Sequence, residues 1–223
     1  MKLKKLKKKV AIEALKLIPY QEIIGIGTGS TISYFIKYLK NIKNKIKGVV
    51  SSSHQTTKIL KKYGIKIFKL NEINFLSLYI DSADEINKNM EMIKGGGAAL
   101  TREKIIASAA QKFICIIDET KQVNVLGKFP LPVEVIPMAY KFVKKQLKKL
   151  GGEVKKRKNL ITDNHNYILD ISNLFILNPK YIEKKINNIP GVVSVGIFSQ
   201  RKPDILLIGK KNKIKVINRN KID

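Results

Sequence analysis

The residues best suited to chemistry lie within positions 79–105. Asp81 and Asp84 stand three apart, Lys94 opens onto Gly95, Gly96 and Gly97, and Glu103 follows Thr101 by two. Carboxylates held beside a substrate take and return protons. A lysine ammonium and backbone amides stabilise the negative charge that such a transfer creates. Consecutive glycines let a ligand approach those amides closely, because no Cβ intervenes. Ser82 and Ala83, between the two aspartates, belong to the same candidate cradle. The set points to proton transfer on a small anionic substrate. Singly, each piece is equally a solvated loop or a helix start, and the argument rests on their joint spacing.

A second cradle is upstream. Residues 25–31 read GIGTGST, between an apolar run and a helical pattern. A strand, a glycine turn and a helix start present amides to phosphate. Thr28, Gly29, Ser30 and Thr31 are therefore candidate phosphate contacts, with Lys121 at the end of DETK as another. Ser30 occupies the third-glycine position of a dinucleotide fingerprint, and no Gly-Lys-Ser/Thr follows, so neither nucleotide motif fits. The histidines His54 and His165 and the lone Cys115 lack metal-ligand spacing, so no metal is expected. Serine or cysteine nucleophiles lack a base at motif spacing.

These groups need elements to hold them. Leu3, Leu6, Val10, Ala14 and Leu17 recur at helical spacing, so the basic, then apolar, start reads as an amphipathic helix rather than a signal peptide. Strands are expected over residues 22–27, 48–53, 65–68, 76–81 and 113–118, with helices between them. Thr101 is expected to cap a helix over 100–111 that carries Glu103 in its first turn. Ser53 is expected to cap the helix at 54–63. Alternating strands and helices imply a parallel sheet, whose ligands sit at the carboxyl ends of strands. Pro130 and Pro132 suggest a boundary. The pattern beyond it, with strands at 133–136, 153–157, 167–171 and 192–198 and helices at 139–150 and 179–187, is the βαββαβ split unit. Strands at 204–209 and 214–217 return to the first domain. The expected fold is thus α/β: a Rossmann-like catalytic domain, 1–129 plus 200–223, and a smaller ferredoxin-like α+β domain, 130–199.

The formal net charge is +27, almost all from lysine, with arginine only at Arg102, Arg157, Arg201 and Arg219. Base-reading proteins favour arginine forks. Lysines spread through every segment, and no recognised binding motif, argue against a specific nucleic-acid partner. No uncharged run reaches the ~18 residues of a membrane helix, and a single cysteine in an apolar run suits the cytoplasm.

The pieces GTGST (27–31), DSADEI (81–86), IKGGGAALTREK (93–104), DETK (118–121), PLPVEVIP (130–137), TDNHNYILD (162–170) and IPGVV (189–193) resemble the type A ribose-5-phosphate isomerase family over essentially the whole chain. Ser82 stands where that family usually has glycine, and Ala98 where a fourth glycine is common. The resemblance implies a cofactor-independent aldose–ketose isomerase. It would interconvert ribose 5-phosphate and ribulose 5-phosphate through an enediolate, in the non-oxidative pentose phosphate pathway. It also implies that Glu103 is the base, that Lys94 and the glycine amides stabilise charge, and that Asp81 and Asp84 hold sugar hydroxyls and shuttle protons. Thr28 to Thr31, Lys121 and Lys7 would anchor the phosphate, and the protein would be a dimer or a dimer of dimers joined through the small domain. Two rivals are an aminosugar-phosphate deaminase, which would release ammonia, and a sugar-phosphate-sensing domain, which would convert nothing.

Overall fold

A computed structural model describes residues 2–219. In chain order the elements are α1 (Lys2–Leu15), β1 (Ile23–Ile26), α2 (Ser30–Leu39), β2 (Gly48–Ser51), α3 (His54–Lys62), β3 (Leu78–Asp81), β4 (Glu85–Ile86), β5 (Met92–Ile93), α4 (Leu100–Ala109) and β6 (Lys112–Asp118). There follow β7 (Leu131–Val135), α5 (Tyr140–Lys148), β8 (Glu153–Lys156), β9 (Tyr167–Ser172), α6 (Pro179–Asn187), β10 (Val192–Val195), β11 (Ile197–Phe198), β12 (Ile205–Gly209) and β13 (Ile214–Asn218). They form two compact units, one of residues 2–82, 102–120 and 203–219, the other of 83–101 and 121–202. Residues 83–101 group with the second unit because β4 and β5 pair with each other and β5 with β11.

The first unit is a six-stranded sheet in the order β13-β12-β6-β3-β1-β2. All neighbours are parallel except β12 and β13. β1, β3 and β6 are near-continuous apolar runs because both faces of such a sheet are covered. On one face Ile24, Ile26 and Ile80 pack with Val10 and Ala14 of α1, Ile32, Phe35 and Leu39 of α2, and Leu60 of α3. Gly25 faces the other way, against Ile106 of α4 and Tyr79. Ser53 caps α3, accepting the Thr56 amide at 3.0 Å.

Several expectations change here. Leu3 is exposed and Leu17 lies beyond the end of α1, so Leu6, Val10, Ala11 and Ala14 form the buried stripe. Residues 65–68 make a single bridge, Val49 to Ile67, rather than a strand. They enter from the positive φ of Gly64 and leave into a short 3-10 turn at Leu70–Glu72.

In the second unit β10-β7-β9-β8 form an antiparallel sheet. Counted along the unit, that is the order 4-1-3-2 of the split βαββαβ arrangement. Val133, Val135, Leu169 and Ile171 on the sheet pack with Val143 and Leu147 of α5 and Ile186 of α6. The strand expected over 192–198 is broken at Gly196. Its backbone lies so close to its neighbours that an added Cβ would be 2.4 Å from the Lys94 carbonyl oxygen. β10 therefore pairs with β7, and β11 turns away to β5. Among the described residues no helix is long and apolar enough to cross a membrane.

Candidate active site

In the first unit the ends of three adjacent strands meet. The Thr28 hydroxyl, just past β1, lies 2.8 Å from both Ser52 Oγ and Ser53 Oγ, which follow β2. The Thr28 amide donates to Asp81 Oδ1 at 3.1 Å, at the end of β3. The Ser82 amide donates to the same oxygen at 2.7 Å, and the Tyr79 hydroxyl donates to Asp81 Oδ2. Asp81 is fully buried, so these donors replace water around its charge. A Cβ at Gly27 would fall 1.9 Å from the Asp81 carboxyl group, which is why glycine stands there.

Glu103 sits in the first turn of α4 with only 3% of its surface exposed. It is close enough to Tyr79 to act on its ionisation. Burial first, then the charges of Asp81 and Glu103, push the Tyr79 phenol well above its usual 10.0, partly offset by a hydrogen bond from Ser52. Thr101 does not cap this helix, because the helix already begins at Leu100. The Thr101 hydroxyl instead donates to Glu134.

The phosphate candidates divide. The Thr28 hydroxyl is engaged inside the protein, whereas Gly29 and Ser30 are exposed at the start of α2. Gly29 precedes that helix with φ +126°, and Lys7 Nζ donates to Ser30 Oγ at 2.9 Å. Thr31 is buried in the first turn. A cavity of about 540 Å3 elsewhere in this unit is lined by His54, Lys61, Phe68, Arg102 and Ile105. None of the expected site residues lines it.

In the second unit Asp84 and Lys94 lie one position beyond the last β4–β5 pair, Glu85 with Ile93. The Asp84 amide donates to Ile93 O at 2.9 Å and the Lys94 amide to Gly196 O at 2.8 Å. Lys94 is 2% exposed, with its ammonium 5.4 Å from the Phe198 ring centroid. Gly96 and Gly97 are exposed, and the Gly96 amide donates to Asp84 Oδ2 at 2.7 Å. Ala83 is buried, and Lys121 is half-buried at the end of the 3-10 turn Glu119–Lys121. Ser82, at the end of the preceding segment of the first unit, has no positive φ, so serine is unstrained there. Ala98 does, at +58°.

Sequence reasoning missed three supporting residues. Tyr79 holds Asp81. Glu134, fully buried on β7, also accepts from the Thr162 hydroxyl at 2.8 Å and from the Asn164 and Asn166 side chains at 3.1 and 3.0 Å. Arg157 donates to the Gly95 and Gly96 carbonyls. The position of Tyr79, two residues before Asp81 on one strand, was the only local signal among them. Among the described residues no group of three or more His, Cys, Asp or Glu side chains is placed to hold a metal.

A parallel α/β unit with a glycine turn beside the buried Asp81 carboxylate, and a split βαββαβ unit with a lysine and a glycine run, define an α/β protein of two units. The family of ribose 5-phosphate isomerase A, or phosphoriboisomerase A, matches residues 48–213. Ribose-5-phosphate isomerase A of Blochmanniella floridana is 59% identical over 217 residues, 97% of this chain and 98% of the relative. That of Buchnera aphidicola subsp. Schizaphis graminum is 55% identical over 217 residues, 97% and 99% of the two chains. The crystal structure of ribose 5 phosphate isomerase A from Neisseria gonorrhoeae has a TM-score of 0.95 at 45% identity and covers 97% of both chains. A D-ribose-5-phosphate isomerase solved in complex with phospho-erythronic acid has a TM-score of 0.93 at 38% identity, covering 98% of this chain and all of that one. The chain belongs to the ribose 5-phosphate isomerase A family.

Proposed function

We propose that this chain interconverts D-ribose 5-phosphate and D-ribulose 5-phosphate in the pentose phosphate pathway, with Glu103 as the base. Glu103 takes the proton from C2 of the open-chain aldose and returns it to C1. The negative charge of the enediolate between these steps falls on O1 and O2, where Lys94 and the Gly97 amide stabilise it, the Gly96 amide being engaged by Asp84. Asp84, only partly buried, exchanges a proton between the two oxygens. Asp81, whose carboxylate accepts from Thr28, Ser82 and Tyr79, contributes by fixing the glycine turn and by its charge. The phosphate is held by the amides of Gly29, Ser30 and Thr31 at the α2 N-terminus, by Lys7 and by Lys121.

The observation that carries this reading is the burial of Glu103 on the first turn of α4. A base held there in place of water is worth ~10²–10⁴ in rate. The test is to incubate the purified protein with ribose 5-phosphate and a chelator and to follow ketopentose formation. Wild type is expected to turn over under these conditions. Glu103→Gln, which keeps the shape and removes the base, is expected to lose at least ~10²-fold in kcat with KM little changed. Near-normal turnover in that variant removes Glu103 from the role.

The reading extends to a cytoplasmic homodimer or dimer of dimers, assembled through the small domain. It is supported by the buried Cys115 and by the exposed Met138, Phe175 and Leu177 of the second unit. A monomer mass in light scattering at working concentration would refute the assembly.

A further inference from the structure

We propose that Arg157 is a positioning residue for the isomerisation, holding the amides of the glycine run and, through them, Asp84. The inference rests on the roles proposed above for Asp84 and the Gly95–Gly97 run.

The guanidinium of Arg157 is gripped by Asp170, with Nε donating to Oδ2 at 2.8 Å and Nη2 to Oδ1. Both side chains are 20% exposed, so the pair is well shielded and fixed in plane. That leaves Nη1 aimed at the glycine run, where it donates to Gly95 O at 3.2 Å and Gly96 O at 3.1 Å. In a trans peptide the C=O and N–H point in opposite directions. Two successive carbonyls turned toward one guanidinium therefore turn the following amides, of Gly96 and Gly97, away from it. The Gly96 amide meets Asp84 Oδ2 at 2.7 Å on that far side. The Gly95–Gly96 peptide is thus clamped at both ends, by a cation on its oxygen and a carboxylate on its hydrogen.

This matters because of what the run is made of. Three glycines have access to far more backbone conformations than other residues, which permits close approach of a ligand but opposes order. Gly95 has φ +109°, and within the run a turn bond, Ala98 N–H to Gly95 O at 2.9 Å, closes it. Arg157 adds the contacts that choose one peptide orientation. It also withdraws charge from both carbonyls, which makes the Gly96 and Gly97 amides better donors. Lysine cannot replace it, because one ammonium cannot grip a carboxylate with two parallel bonds and also serve two carbonyls.

The experiment measures kcat, KM and melting temperature for wild type, Arg157→Ala, Arg157→Lys and Asp84→Asn. For Arg157→Ala kcat is expected to fall ~10–100-fold, the scale of misplacing a reacting group by about an ångström. KM should change little, because Arg157 is not among the proposed phosphate contacts. Arg157→Lys should recover only part of the loss. Low guanidinium chloride, below the level that affects wild type, should raise kcat of Arg157→Ala and leave Asp84→Asn unchanged. A purely structural arginine would show a lower melting temperature without that rescue. Wild-type kcat in folded Arg157→Ala overturns the inference while leaving the isomerase reading intact if Asp84→Asn is impaired. Should Arg157→Ala not fold, wild-type kcat in Arg157→Lys overturns it instead. Wild-type turnover in Asp84→Asn removes the role of Asp84, and the inference with it.

Discussion

Tyr79→Phe separates the buried carboxylate of Asp81 from one of its donors with the least collateral change. The tyrosine is fully buried, and its ring lies 5.1 Å from that of Phe113 between centroids. Phenylalanine keeps this packing and deletes only the hydroxyl that donates to Asp81 Oδ2. A hydrogen bond to a charged group contributes about 1.5–3 kcal/mol. We expect a loss of about 2 kcal/mol at pH 8, and a melting temperature about 4–8 °C lower, at ~2–4 °C per kcal/mol for a protein of this size. The difference should also depend on pH with a definite sign. The folded protein raises the Tyr79 pKa well above the usual 10.0, chiefly by burial and then by the charges of Asp81 and Glu103. Above the usual value the unfolded chain releases the phenolic proton and the folded chain retains it. The contribution of Tyr79 is therefore complete below that value and declines above it, by up to ~1.4 kcal/mol per pH unit. Urea unfolding of both proteins from pH 7 to 11 measures this. The gap should be constant to about pH 9.5 and narrow beyond it. Equal stabilities at pH 8, or a gap that stays constant to pH 11, would refute the reasoning.

Lys121→Ala should raise KM for ribose 5-phosphate about 10–100-fold, the worth of one charge-assisted contact, with kcat within about twofold of wild type. A fall in kcat alone, in steady-state kinetics, would remove Lys121 from the phosphate. Ala98→Gly should be nearly neutral, within about 1 kcal/mol by urea unfolding. Glycine relieves the left-handed φ of +58°, which costs an L-residue roughly 1–2 kcal/mol. Against that stand about 0.4–1 kcal/mol of extra unfolded-chain entropy and the loss of a methyl group packed by Leu100 and Ile168. Destabilisation well beyond about 1 kcal/mol would mean that the methyl contact outweighs the strain.

What could be read in the sequence follows from distance along the chain. The helix at α2 was legible because Ile32, Phe35, Ile36 and Leu39 repeat on one face, and all four are buried. The βαββαβ order of the second unit was legible because its strands and helices are long enough to show a period. β4, β5 and β11 were not, because two residues carry no period and pair only through partners far along the chain. Glu103 and Asp81 stood out by residue type at local spacing, whereas Arg157 lies 62 residues from Gly95 and looked like one more cation in a chain of net charge +27. Glu134 sits in an alternating strand, VEV, where an outward acid would look ordinary; here it is fully buried and gathers four side chains.

Asp81 shows why two motifs read separately are one physical object. A carboxylate with no exposed surface persists only if the protein supplies donors in place of water. Two of those donors belong to its own strand and the residue after it, Tyr79 and Ser82. Another is the amide of Thr28, from the turn that starts α2, 53 residues away. That amide can reach the carboxylate only if the backbone at position 27 lies against it, which leaves no room for a Cβ. The glycine of GTGST and the first aspartate of DSADE therefore require each other. A side chain at 27 displaces the acid, and loss of the acid leaves the Thr28 amide without this partner at the entrance to α2.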